Sequence, residues 1–89
     1  MKIKAGYVLR EVADQIIVVP TGQAAINFNG VITLNKSGKL LWETLTNNVS
    51  FDDLVNVLLE KYEVSKEQAS RDVLEFLETL RKHNILDEQ

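Results

Sequence analysis

The sequence predicts an α+β fold, an N-terminal antiparallel sheet of three or four short strands followed by three helices. Three observations carry this. The first third alternates β-branched runs with turn residues. The last two thirds hold two helix starts, each followed by apolar residues at helical spacing. Between them residues 28–45, FNGVITLNKSGKLLWETL, read as a strand running straight into a helix.

Composition sets the bounds. Eighty-nine residues make one domain, residues 1–89. A chain of this size buries roughly 60–65% of the surface its unfolded form exposes, enough for one modest core. Hydrophobic residues at 45% and charged residues at 26% are ordinary for a globular protein. The absence of cysteine removes disulfides, thiolate metal sites and cysteine nucleophiles together. No charged, apolar, small-residue leader opens the chain and no apolar run reaches the ~18 residues of a membrane span, so the expectation is a cytoplasmic protein without a membrane role. Ten basic residues oppose thirteen acidic ones, and the net charge of −3 offers no general attraction to nucleic acid or anionic lipid.

In chain order, Tyr7 to Val12 is the first strand, and Ala13-Asp14-Gln15 separates it from Ile16 to Val19. The second run is apolar throughout, as in a central strand with both faces covered. Pro20 and Gly22 close it. Ala24 to Phe28 leads into Asn29-Gly30, a tight-turn signal because both residues tolerate positive φ. Val31, Ile32, Thr33 and Leu34 form the organising strand, after which Asn35 or Ser37 can cap a helix carrying Leu41, Trp42 and Leu45.

Two further helix starts are legible. Ser50 and Asp53 have capping-box spacing, with Val49 and Leu54 as a hydrophobic staple, and Phe51, Leu54, Val55, Leu58 and Tyr62 then form one stripe. Ser65 and Gln68 repeat the box, with Val64 and Ala69 as staple; the helix they start buries Ala69, Val73, Phe76, Leu77 and Leu80 and keeps Leu74 nearer its flank. Arg81, Lys82 and His83 offset the dipole of its last turn, and Asn84 is a left-handed cap that lets Ile85 and Leu86 return to the core.

The residues carry no chemistry-bearing constellation. His83 has no second histidine at ligand spacing, the four glycines are scattered, and Asp52-Asp53 and Glu75-Glu78 are carboxylate pairs of a solvated helix face. The expectation is a protein that is not an enzyme and holds neither metal nor cofactor. Three short helices with a small sheet give the winged helix-turn-helix outline, so DNA binding is one reading. It requires cations on the last helix, where Lys66, Arg71, Arg81 and Lys82 are cancelled by Glu67, Asp72, Glu75 and Glu78. A meander also leaves a strand edge, to which an extended peptide can add, or which the protein's own chain or a second copy in a homodimer can cover.

The order of PTG at 20–22, NFNG at 27–30, ITLNKSG at 32–38 and LLWETL at 40–45 resembles the PqqD family. The helical half agrees, with LLEKYEV at 58–64 and DVLEFLETLRKHNIL at 72–86. Asn84 departs from the glycine often found before the final apolar pair. The resemblance implies a winged-helix recognition element for ribosomally made, post-translationally modified peptides. It would bind the leader of a precursor peptide as an added strand and present it to a modifying enzyme, commonly a radical S-adenosylmethionine enzyme. Carried onto this chain, it implies a peptide-binding edge at Val31, Ile32, Thr33 and Leu34, and a groove wall of Arg71, Leu74, Glu75, Glu78 and Arg81. The Asn29-Gly30 hairpin leaves two strands that can claim the edge.

Overall fold

A computed structural model describes residues 1–26, 28 and 30–88. In chain order these form β1 (Lys2–Ile3), β2 (Tyr7–Val12), β3 (Gln15–Pro20), a 3-10 turn (Gly22–Ala25), β4 (Ile32–Leu34), α1 (Lys36–Thr44), α2 (Phe51–Lys61), α3 (Lys66–Lys82) and β5 (Leu86–Asp87). The architecture is α+β, with antiparallel strands followed by three helices. β2, β3 and β4 make one sheet in that order, and β1 pairs with β5 in a second, two-stranded one.

The β2–β3 hairpin turns on two residues, Ala13 at φ 48° and Asp14 at φ 68°. Two positive φ values in succession are what a primed turn needs to match the twist of its strands, and Ala is a poor occupant of that region. Ala13→Asn combined with Asp14→Gly is therefore expected to raise stability by about 1 kcal/mol. Urea denaturation checks it, and an unchanged or lowered midpoint contradicts this account of the turn.

Between β3 and β4, Ala24 and Ala25, which open the stretch expected to lead into the tight turn, belong to a 3-10 turn. Gly22 enters this turn at φ 54°, with Ala24 N–H donating to Thr21 O at 3.1 Å and Ile26 N–H to Gln23 O at 3.2 Å. Two consecutive alanines have no branched side chain to hold an extended backbone, and the Ala24 methyl packs against Gly6. Asn29, half of the expected tight turn, lies outside the described residues; Gly30 has φ 83°. β4 begins one residue later than expected, at Ile32, and leaves Val31 71% exposed. Its ladder partner is β3, with Ile16, Ile17 and Val18 opposite Leu34, Thr33 and Ile32.

The helices start where side chains cap them. The Asn35 side chain accepts from the Gly38 amide at 2.8 Å. Ser50 and Asp53 complete a reciprocal capping box, at 3.1 and 2.9 Å, and the amide of Ser50 holds the Asp53 carboxyl below its ordinary range. Ser65 caps α3 through the Gln68 amide at 3.0 Å, but the expected box is half made, because the Gln68 side chain turns forward to Asp72 at 2.8 Å. At the end of α3, Asn84 takes φ 58°, Ile85 N–H reaches back to Leu80 O, and Asn84 N–H to Arg81 O. This is a Schellman closure, and it turns Ile85 and Leu86 into the core.

β1 and β5 have no clear signal in the sequence because each is two residues long. They are held by neighbours: Ile3 N–H donates to Leu45 O at 2.9 Å and Lys4 N–H to Ile85 O at 2.8 Å. One core joins all the helices to the inner faces of the strands. Val18 and Ile32 meet it from the three-stranded sheet, Leu41, Trp42 and Leu45 from α1, Leu54, Val55 and Leu58 from α2, and the five expected residues from α3. In β3 only Val18 is fully buried, so the apolar run Ile16 to Val19 packs one face against the core, not both.

Candidate functional site

The three-stranded sheet has two free edges, β2 on one side and β4 on the other. The phase of the ladder decides which backbone groups face out. Thr21 N–H donates to Gly6 O at 2.7 Å, so Val8 with Val19, Arg10 with Ile17 and Val12 with Gln15 are the hydrogen-bonded pairs of β2 and β3. Ile16 and Val18 then turn their amides and carbonyls toward β4, where they meet Leu34 and Ile32. Thr33, opposite Ile17, is left with both N–H and C=O directed into the open edge.

That edge borders a groove. A cleft of about 270 Å³ lies between β4, the start of α1 and one side of α3. Leu34, Leu41 and Phe76 make its apolar floor, and Thr33, Asp72, Glu75 and Thr79 stand along its rim. Gly38 is what allows α1 this close to β4. A Cβ there would come 3.2 Å from Asn35 Oδ1 and 3.3 Å from the Leu34 Cβ, so a side chain at this position would make Asn35 or Leu34 give way by a few tenths of an ångström. Asn35 fixes the corner by accepting from both the Gly38 amide and the Ser37 hydroxyl, at 2.8 and 2.9 Å.

The groove continues at one end. Beyond Asn35 and Asp72 it opens toward a second concavity of about 420 Å³ with Leu58, Tyr62 and Val64. Near the end of α3, Phe28 lies between Tyr7 and His83, with ring centroids 5.8 and 5.9 Å apart. His83 is anchored through Nδ1 to Thr79 O at 3.0 Å. Since Asn35 meets Asp72 and Phe28 meets His83, β4 and α3 run in opposite directions along the groove.

Of the residues expected from sequence, Thr33, Leu34 and Glu75 line this groove. Ile32 does not reach it, since its backbone pairs with Val18 and its side chain is buried in the core, and Val31 precedes the strand. Arg71, Leu74, Glu78 and Arg81 are exposed and do not line it. They follow one another at helical spacing, with Leu74 and Arg81 on the opposite side of the buried stripe. Arg81 is engaged there by Glu88 at 2.8 and 3.0 Å, which raises the guanidinium's pKa and lowers that of the carboxyl. Glu78 lines an adjoining shelf with Lys82, a shelf that shares Glu75 and Thr79 with the groove. Sequence reasoning missed Asp72, Phe76 and Thr79, whose signal was the same spacing on the other flank, and Gly38, whose signal was a glycine inside a helix start.

Among the described residues no group of three or more His, Asp and Glu side chains is placed to hold a metal ion, and no helix is long and apolar enough to cross a membrane. The arrangement can align an extended backbone along β4 and hold its side chains against an apolar floor.

Comparison with solved structures finds the same fold in complexes with peptides. TbiB1 in complex with the TbiA(beta) leader peptide superposes with a TM-score of 0.76 at 21% identity, over 100% of this chain and 98% of that one. Lasso peptide synthetase B1 complexed with the leader peptide gives 0.71 at 18% identity, over 94% and 93%. No curated protein matches the chain in sequence. The family model described as Coenzyme PQQ synthesis protein D (PqqD) matches residues 15–86, a span that takes in the three-stranded sheet from β3 onward, all three helices and the start of β5. The chain belongs to the PqqD family.

Proposed function

We propose that this protein is a non-catalytic recognition element that binds the leader of a ribosomally made precursor peptide as a strand added to β4. The observation that carries the reading is the open backbone pair of Thr33 beside an apolar-floored groove. Backbone pairing gives affinity that tolerates sequence variation, and alternate side chains of the ligand meet the groove, which gives selection. The leader complexes of the two structural neighbours support the choice of ligand. β2 is also an edge, but it is the open backbone pair of Thr33 on β4 that lies beside the apolar-floored groove shared with α3.

The held leader is presented to a modifying enzyme, which for this family is commonly a radical S-adenosylmethionine enzyme. Tethering the leader raises the local concentration of the attached core peptide at that enzyme. Precursors of this kind are made on ribosomes, so the cytoplasm is where the module works. Nucleic acid is a poor ligand for the groove, whose only charged lining groups among the described residues are Asp72 and Glu75. A homodimer is a second reading, favoured by the six-residue free edge of β2 with Val8 and Val12 exposed on its outer face. Mass across a dilution series tests it.

The primary test is titration of isotope-labelled protein with the leader of a short open reading frame encoded beside its gene. Amide shifts concentrated in residues 32–38 and 72–79 are the expected result. Absence of shifts with any neighbouring short peptide, with the fold intact, overturns the reading.

A further inference from the structure

The groove is not electrically neutral. Its charged lining groups among the described residues are both carboxylates, Asp72 and Glu75, three residues apart on α3 and so about 4.5 Å apart along the helix axis. The nearby cations line adjoining concavities and not the groove itself. Lys39 is bound to Glu11 at 2.7 Å and Arg81 pairs with Glu88; Lys36 shares the adjoining concavity with Asp72 and Lys82 shares a shelf with Glu75, Glu78 and Thr79, but among the described residues neither lysine forms an ion pair with these carboxylates. Asp72 accepts from Gln68 through one oxygen, and among the described residues no ion pair engages Glu75.

We infer that the groove selects leader segments with a lysine or arginine at an inward-facing position, flanked two residues away by apolar side chains. The inference rests on strand addition at β4. In an added strand, inward-facing residues recur every second position, about 6.6 Å apart. An apolar residue at one such position packs on Leu34 and Phe76. A basic residue at the next lays its methylene stem on the same floor while its charged end reaches the Asp72 and Glu75 carboxylates. Arginine is the better fit, because its planar fork can meet a carboxylate through two hydrogen bonds. The net charge of −3 favours the same partner at longer range.

The test uses a random-peptide display library, selected separately against the wild-type protein and against the Asp72→Asn, Glu75→Gln double variant. Both substitutions are nearly isosteric and lie at a solvent-accessible rim, so the fold is retained, which circular dichroism verifies. Wild type is expected to enrich alternating apolar residues with Lys or Arg at one inward position, and the variant to enrich the apolar alternation alone. A wild-type-selected peptide is expected to bind the variant about 4- to 25-fold more weakly, from roughly 2- to 5-fold for each exposed charge pair, and to lose its salt dependence there. Selection of the same apolar pattern by both proteins, without basic enrichment, overturns this inference and leaves peptide binding standing. Selection of no peptide by either folded protein overturns the binding reading itself.

Discussion

Thr33→Pro is expected to abolish most leader binding while leaving the domain folded. The ladder phase sets this apart from a proline one residue away. Thr33 lies opposite Ile17, whose own backbone groups are spent on β2, so the Thr33 amide faces the open edge and no intramolecular bond is lost when proline removes it. Proline is tolerated on edge strands for this reason, and its restriction of the preceding residue to extended conformations suits Ile32. An added peptide strand loses one backbone hydrogen bond, about 0.5–1.5 kcal/mol, and meets a pyrrolidine ring where its carbonyl must approach. Together these are expected to weaken binding at least roughly tenfold. Thr33→Val, which keeps the amide, should bind nearly as wild type does. Ile32→Pro instead removes the amide that pairs with Val18 and disturbs a buried position, so it should destabilise the fold. Calorimetric titration with a cognate leader, alongside thermal melts, separates these outcomes. Normal affinity in a folded Thr33→Pro variant removes β4 as the binding edge.

The contrast shows where the sequence was informative and where it was not. Helix starts were legible because a cap is a local device: Asn35, Ser50 and Ser65 each bind an amide three residues on. The buried stripe of α3 was legible from spacing alone. The two-residue strands β1 and β5 were not, since they are made by distant backbone partners and carry no period of their own. Nor could the sequence say which flank of α3 faces β4. Arg71, Leu74, Glu78 and Arg81 on one side and Asp72, Glu75 and Thr79 on the other are both plausible amphipathic margins. The choice depends on how α3 crosses the sheet, which is set by contacts of high sequence separation. Thr33, Leu34 and Glu75 were anticipated because the strand is local and Glu75 lies close to the boundary between the two margins.

Leu77→Ala and Leu74→Ala, three residues apart on α3, are expected to differ sharply. Leu77 is 1% exposed and faces the joint core, so truncation leaves a cavity beneath the helix and should cost about 2–5 kcal/mol. That is a large part of the roughly 5–15 kcal/mol that holds a small domain together, so the variant should melt well below wild type. Leu74 is 46% exposed and lies on the flank away from the groove. Its replacement by alanine, a better helix former, should change stability by no more than about 0.5 kcal/mol. Leader affinity should also be unchanged. Urea denaturation and peptide titration of both variants check the pair. Full stability in Leu77→Ala would contradict the packing described for α3. A Leu74→Ala variant that stays folded but loses leader affinity would move the ligand to the opposite flank, the one that family resemblance alone suggests. The groove beside β4 predicts that it does not, because an added strand there meets Asp72, Glu75 and Phe76 and has no path around the helix to Leu74.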